Sequence, residues 1–336
     1  MSQTIPLTLE KLLEGYRLCC QAEAKSPKTI EWYSSFLTRF RIFLERNQMP
    51  DDPCLITKEN IRAFIYYLQK EAKTPHSNKP LSPITVQGYV RSLKAFFSWL
   101  VKEDYVNHNV MDHIPLPKAP IKIINTLTEE QIQKLTTLCN SSAKSGYRNL
   151  CLILLMLDTG IRVSELASID ENDVDLNQGG ITIRIAKGGK ERIIPMGSLV
   201  QKMLWRYINT YRPKPLTSKI TRLFLNDAGT PLTKNGIQQL LRRYGKRAGI
   251  SGTRCSPHTF RHTFAKNYLL NGGDIFSLQK ILGHSSLASV RLYLNLFACD
   301  IKRQHQRFSP VDNLAQCSQG NFLLRSCNQG DHLKGR

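Results

Sequence analysis

The chain has 336 residues, enough for two ordinary domains, and carries 47 Lys+Arg against 26 Asp+Glu, a formal charge of +21. That excess points to a polyanionic partner, nucleic acid before an anionic membrane surface, because no apolar run approaches the roughly 20 residues that span a bilayer. The start, MSQTIPLTLEKLLEGY, lacks the basic-then-apolar pattern of a secretory signal, and nine cysteines at irregular spacing fit reduced thiols rather than a disulfide framework, so an intracellular chain is expected.

The charge is unevenly placed. Residues 1 to 120 hold 16 basic and 12 acidic side chains, whereas residues 121 to 336 hold 31 and 14, so the second part carries the attraction for a polyanion. In the first part, Ile30, Tyr33, Leu37, Phe40 and Leu44 lay one apolar stripe along a helix opened by Ser26 and Pro27. Val86, Tyr89, Val90, Leu93, Phe97 and Leu100 do the same after Ser82 and Pro83, and weaker stripes in TLEKLLEGYRLCC and ENIRAFIYYLQ complete a four-helix domain over residues 1–112. Next comes HIPLPKAPIK, whose Pro115, Pro117 and Pro120 remove backbone donors and forbid a continuous helix, which marks 113–125 as a linker.

A second domain over 126–310 opens with helical LTEEQIQKLTTLC and NLCLILLMLDTG. The period then changes: Ile181, Ile183 and Ile185 alternate with Thr182 and Arg184, Gly188 and Gly189 turn the chain, and Glu191 to Ile194 return it as a β-hairpin with Lys187 at the tip. A third short strand is expected at Leu223 to Asn226, and helices resume from Thr233. The fold class is therefore mainly α with a small antiparallel β-sheet. Residues 311–336, rich in Ser, Gln, Asn and Gly, read as a flexible or partner-docking tail. The loose cluster Cys317, Cys327 and His332 lacks close-paired ligand spacing, so no metal site is assigned.

Within the second domain, LDTGIRVSEL carries Arg162 and Glu165 one helical turn apart and thus on one face. SPHTFRHTFA carries His258, Arg261 and His262, LQKILGHSSL carries His284, and RLYLNL carries Tyr293, nine positions after His284. Each has an ordinary structural use when taken alone: a tyrosine among leucines belongs to a core, Arg162 pairs with Glu165, Lys187 is a solvated tip, and the histidines cap or bridge helices. Together they supply what a metal-free phosphoryl transfer needs. Arginines hold both non-bridging oxygens of a phosphodiester, a lysine or histidine protonates the leaving oxygen, and the tyrosine attacks phosphorus to form a covalent intermediate. The basic positions Arg242, Arg243, Lys246 and Arg247, with Lys190 and Arg192 of the hairpin, are the candidate DNA contacts.

From about residue 125 to 300 the order and spacing of these pieces resemble the tyrosine recombinase, or phage integrase, family. TGIRVSEL is similar to its first arginine box, IAKGGKERIIP to its lysine hairpin, PHTFRHTFA to its His-x-x-Arg box, and LGHSSLASVRLYLNL to its final histidine and tyrosine. Ala186 stands where glycine is common and Phe260 where leucine is usual, and neither change removes a chemical group. SPKTIEWY and SPITVQGYVRSLKAFFSWL resemble stretches of the family's helical, SAM-like core-binding domain.

The resemblance implies a site-specific DNA recombinase whose catalytic residues are Arg162, Lys187, His258, Arg261, His284 and Tyr293, supported by Glu165, with His262 structural. It implies a 3'-phosphotyrosyl intermediate, no cofactor or metal, and a homo-tetramer on two double-stranded DNA sites. An accessory directionality factor, no membrane, and a cytoplasmic, nucleoid-associated location complete the expectation. The segment after Tyr293 becomes a candidate for docking on a neighbouring protomer. A type IB topoisomerase-like relaxing enzyme and a non-catalytic DNA-binding relative are the alternatives, the second opposed by the intact set of six.

Overall fold

The computed structural model describes residues 8–74, 77–120, 125–139, 142–184, 191–283, 305 and 309–311. The chain divides into two units, Met1–Lys122 and Ile123–Arg336.

The first unit is built from α1 (Leu9–Ala22), α2 (Pro27–Arg46), α3 (Lys58–Lys70) and α4 (Pro83–Lys102). Local chemistry sets the starts: Ser26 and Ser82 accept the backbone N–H of Thr29 and Thr85, each with proline at the first helical position. Thr57 and Asn60 form a reciprocal capping box at α3. The apolar stripes of the four helices meet in one core in which Phe64 is fully buried, with ring centroids 5.0 Å from Phe40 and 5.2 Å from Phe43. The proline-rich segment begins inside this unit rather than outside it. Ile114 is buried in the helical core, and the Pro117 carbonyl accepts a hydrogen bond from Gln87 at 2.7 Å.

The second unit contains α5 (Glu129–Thr137), α6 (Lys144–Thr159), α7 (Val163–Ser168), strands β1 (Val174–Asp175), β2 (Gly180–Ile183) and β3 (Arg192–Pro195), then α8 (Ser198–Arg206), α9 (Lys234–Arg247), α10 (Pro257–Leu270) and α11 (Ile275–Leu282). The apolar α6 runs through its middle and packs against α8 and α10. The sheet is antiparallel in the order β1-β2-β3, with Ile181 opposite Ile194 and Ile183 opposite Arg192. Its alternation is sharp: Ile194 is buried while Ile193 faces solvent.

The third strand is β1, not the expected Leu223 to Asn226. Leu223, Phe224 and Leu225 are buried, but side chains and single bridges satisfy their backbone. Arg212 and Tyr207 donate to the Leu223 carbonyl, and Arg148 donates to the Leu225 carbonyl at 2.9 Å. Those donors occupy the positions a neighbouring strand would have filled.

Candidate active site

Two turns of backbone prepare the site. At the end of α6, Gly160 adopts a left-handed conformation with φ +59°, and a Cβ there would lie 2.3 Å from the Phe264 ring, so only glycine fits. The chain then reverses into α7, with Arg162 at the N-cap and Glu165 three residues on. Glu165 turns back to accept the Arg162 backbone N–H at 3.0 Å and the Arg162 guanidinium at 2.9 Å.

Arg261 lies on α10, whose start is fixed by Ser256 as cap and Pro257 in the first turn. It is buried, and it donates to the Gly160 carbonyl at 2.8 Å and the Leu282 carbonyl at 2.6 Å. Arg162 donates to the next carbonyl, Gly283, at 3.0 Å. Arg192, from β3, donates through Nε to the preceding one, Ile281, at 3.2 Å. Three guanidinium groups from three separate segments therefore bind the successive carbonyls of Ile281, Leu282 and the C-cap Gly283, at the end of α11 where unpaired carbonyls and the helix dipole both favour cations.

Two of these three cations, Arg162 and Arg192, also face one carboxylate, Glu165. Arg192 grips Glu165 with two prongs, at 2.9 Å and 2.8 Å. Burial raises the proton affinity of Glu165, but hydrogen bonds from Arg192 and from the Arg162 backbone, with the charge of Arg192, outweigh it and hold the carboxyl below the usual carboxylate range. With Glu165 ionised, Arg162, Arg192 and Arg261 leave an excess of positive charge.

His258 stands in the first turn of α10, exposed, at the positive end of that helix. His262 is half-buried one position after Arg261. Arg242, Arg243, Lys246 and Arg247 are all exposed on α9, and the Arg247 guanidinium lies over the Tyr244 ring at 5.7 Å. Lys187, Lys190, His284 and Tyr293, together with residues 312–336 of the tail and their Cys317, Cys327 and His332, lie outside the described residues. Among the described residues no group of His, Cys, Asp and Glu could hold a metal ion, and no helix is long and apolar enough to cross a membrane.

Arg192 differs from what its charge suggested. It was expected to contact DNA, yet its guanidinium is enclosed against Glu165 and Ile281. Glu165, the supporting carboxylate, accepts hydrogen bonds from both Arg162 and Arg192. The sequence carried a signal for this: two-residue alternation places Arg192 on the same face of β3 as buried Ile194, and an arginine turned inward needs an acidic partner.

The phage integrase family model matches residues 125–298, and the phage integrase N-terminal SAM-like domain model matches residues 12–107. Tyrosine recombinase XerD of Listeria innocua is 31% identical over 287 residues, covering 85% of this chain and 93% of the relative. Tyrosine recombinase XerC of Chlamydia caviae is 30% identical over 302 residues, covering 85% and 94%. Among solved structures, the Tn1549 transposon integrase in complex with a circular intermediate DNA has a TM-score of 0.67 at 21% identity, covering 85% of this chain and 94% of that one. The XerH site-specific recombinase bound to palindromic difH substrate, in a post-cleavage complex, has a TM-score of 0.66 at 23% identity, covering 88% and 84%. At those identities the two structures speak for the fold.

Proposed function

The chain belongs to the phage integrase family and is a site-specific tyrosine recombinase, and on that premise we propose which of its residues carry out strand exchange. Arg162 and Arg261 hold the two non-bridging oxygens of the scissile phosphate as charge accumulates there, with His258 and His284 completing the cradle. Tyr293 attacks phosphorus, forming a 3'-phosphotyrosyl bond as the bond to the 5'-oxygen breaks. Lys187 gives that oxygen its proton, and His258 assists proton transfer from the nucleophile. A 5'-hydroxyl from the partner strand then attacks the phosphotyrosine, restoring the tyrosine and joining the new strand. The covalent link conserves the bond energy, so no ATP is required, and cationic side chains supply the charge that metal ions supply in many nucleases.

The observation that carries this assignment is the meeting of Arg162 and Arg261 on the adjacent Gly283 and Leu282 carbonyls, one residue before His284 in the chain. Arg242, Arg243, Lys246, Arg247 and Lys190 bind the flanking duplex. Four copies on two DNA sites give the four active sites that exchange requires, helped by an accessory directionality factor, in the cytoplasm on the nucleoid. The relaxing-enzyme alternative gains no support from the relatives, which are recombinases and integrases.

The test begins with a randomised library of nicked duplexes, incubated with the full chain in excess chelator. DNA that becomes covalently attached is sequenced, which identifies the site. On that site Tyr293→Phe gives no adduct while retaining DNA affinity within a few-fold, since the change removes a hydroxyl and no charge. Adduct formation by the phenylalanine variant would move the nucleophile elsewhere.

A further inference from the structure

Arg192 touches neither solvent freely nor any group that reacts in the scheme above, yet all three of its nitrogens are engaged. Nε donates to the Ile281 carbonyl at 3.2 Å, and the two terminal nitrogens donate to the two Glu165 oxygens at 2.9 Å and 2.8 Å. Its side chain is 12% exposed, against 39% for Arg162. Gly283 lies directly on the guanidinium plane: a Cβ there would sit 2.9 Å from Arg192 Cζ, and the backbone φ is +62°. The chain leading into His284 is thus pressed against Arg192, and glycine is what allows the approach.

One Glu165 oxygen accepts from both Arg162 and Arg192, and the other accepts from Arg192 and from the Arg162 backbone. Without Arg192, the carboxylate would face Arg162 alone. It would then lose the grip that fixes its orientation, and its negative charge would cancel the one Arg162 offers to a phosphate. With Arg192 present, the trio keeps a net positive charge and a single direction.

We propose that Arg192 is a positioning residue for DNA cleavage, aiming Arg162 through Glu165 and seating the end of α11 through Ile281. This rests on the recombinase reading of the site. It sets Arg192 apart from the cradle, which it supports without contacting the phosphate, and from the exposed cations of α9.

The alternative is an ion pair that only holds β3 to α7, and the scissile group separates the two. Single-turnover cleavage is measured at saturating full-length protein on the selected site with three scissile groups. They are the native phosphate, a sulfur in place of the bridging 5'-oxygen, and a methylphosphonate in which one charged non-bridging oxygen is replaced. The sulfur leaves without a proton, so it relieves loss of the general acid. The methylphosphonate carries less charge in the transition state, so it relieves misaim of the arginines.

Arg192→Gln is expected to slow cleavage of the native phosphate on the order of 100-fold, with DNA affinity nearly unchanged. The loss persists on the sulfur-bridged site and shrinks by roughly tenfold or more on the methylphosphonate. Arg192→Lys, which keeps the charge but not the two-pronged grip, gives a smaller loss in the same order, and it carries the test if the glutamine variant does not fold. Equal loss on all three substrates, or no loss, overturns the proposal, and recovery on sulfur would make Arg192 a support of the general acid instead. A wild-type chain that forms no adduct on any substrate defeats the recombinase assignment first and so is distinguishable from a failure of Arg192 alone.

Discussion

Among the described residues of the N-terminal unit, the buried side chains are apolar, aliphatic as well as aromatic, with Ser92 the one buried polar exception, whereas the C-terminal unit buries Arg148, Asn149, Thr159, Asp173, Arg261 and Thr263 beside its leucines and isoleucines. Apolar burial is non-directional: it fixes that the helices meet and, through packing, roughly how. Buried hydrogen-bonded charges are directional and costly when left incomplete. The first kind of core suffices to present a binding surface. The second is what a site needs when guanidinium groups must point at a few oxygen atoms.

The directional core is most vulnerable at Arg261, which is buried and bonded to two carbonyls. Arg261→Ala removes a charge from the proposed phosphate cradle, which should lower the cleavage rate roughly 100- to 1,000-fold. It also strips donors from the Gly160 and Leu282 carbonyls, at about 1–3 kcal/mol for each group left unsatisfied. Single-turnover cleavage measures the first effect. Hydrogen exchange on peptides from residues 144–159 and 275–282 measures the second, and undiminished protection there would show that the buried network is not holding the two helix ends together.

The mirror experiment removes an aromatic ring from the other core. Phe64→Ala should destabilise the N-terminal unit by about 3–5 kcal/mol, because a fully buried ring at the centre of the Phe40 and Phe43 cluster leaves a cavity. Amide protection should fall across α1 to α4 and stay unchanged in α6 and α10. A matching loss in α6 would mean that the two units share their stability.

How much of this was legible in the sequence depends on how local each determinant is. The helices of the first unit were readable because their apolar spacing and the Ser26-Pro27 and Ser82-Pro83 starts act within one turn. The β2–β3 pairing was readable from alternation alone. The third strand was not, because whether buried Leu223–Leu225 pairs as a strand is settled by Arg148, Tyr207 and Arg212, donors distant in sequence. For Arg192 the charge was legible and the partner was not. A basic residue on a basic hairpin reads as a DNA contact until its inward register beside Ile194 is given weight. Gly160 and Gly283 mark helix ends by type, but their role in letting Phe264 and Arg192 approach the backbone is a tertiary fact.

The smallest effect bears on the distinction between buried and exposed arginines within the C-terminal unit. Each phosphate neutralised on duplex DNA releases counterions, so the slope of log affinity against log salt falls by about 0.9 for each contact removed. Arg243 is exposed on α9 with its guanidinium open to a partner, and Arg192 is enclosed by Glu165 and Ile281. Arg243→Ala should therefore weaken binding modestly and uniformly across DNA sequences and reduce the slope by about 0.9. Arg192→Gln should leave the slope unchanged, although the proposal makes it the more damaging variant for cleavage. Binding titrated over a series of salt concentrations reads both. If the two slopes fall together, Arg192 reaches a phosphate in the complex, and its bond to Glu165 must open when DNA binds. If neither falls, α9 faces away from the duplex, and the basic surface that meets DNA is elsewhere on the unit.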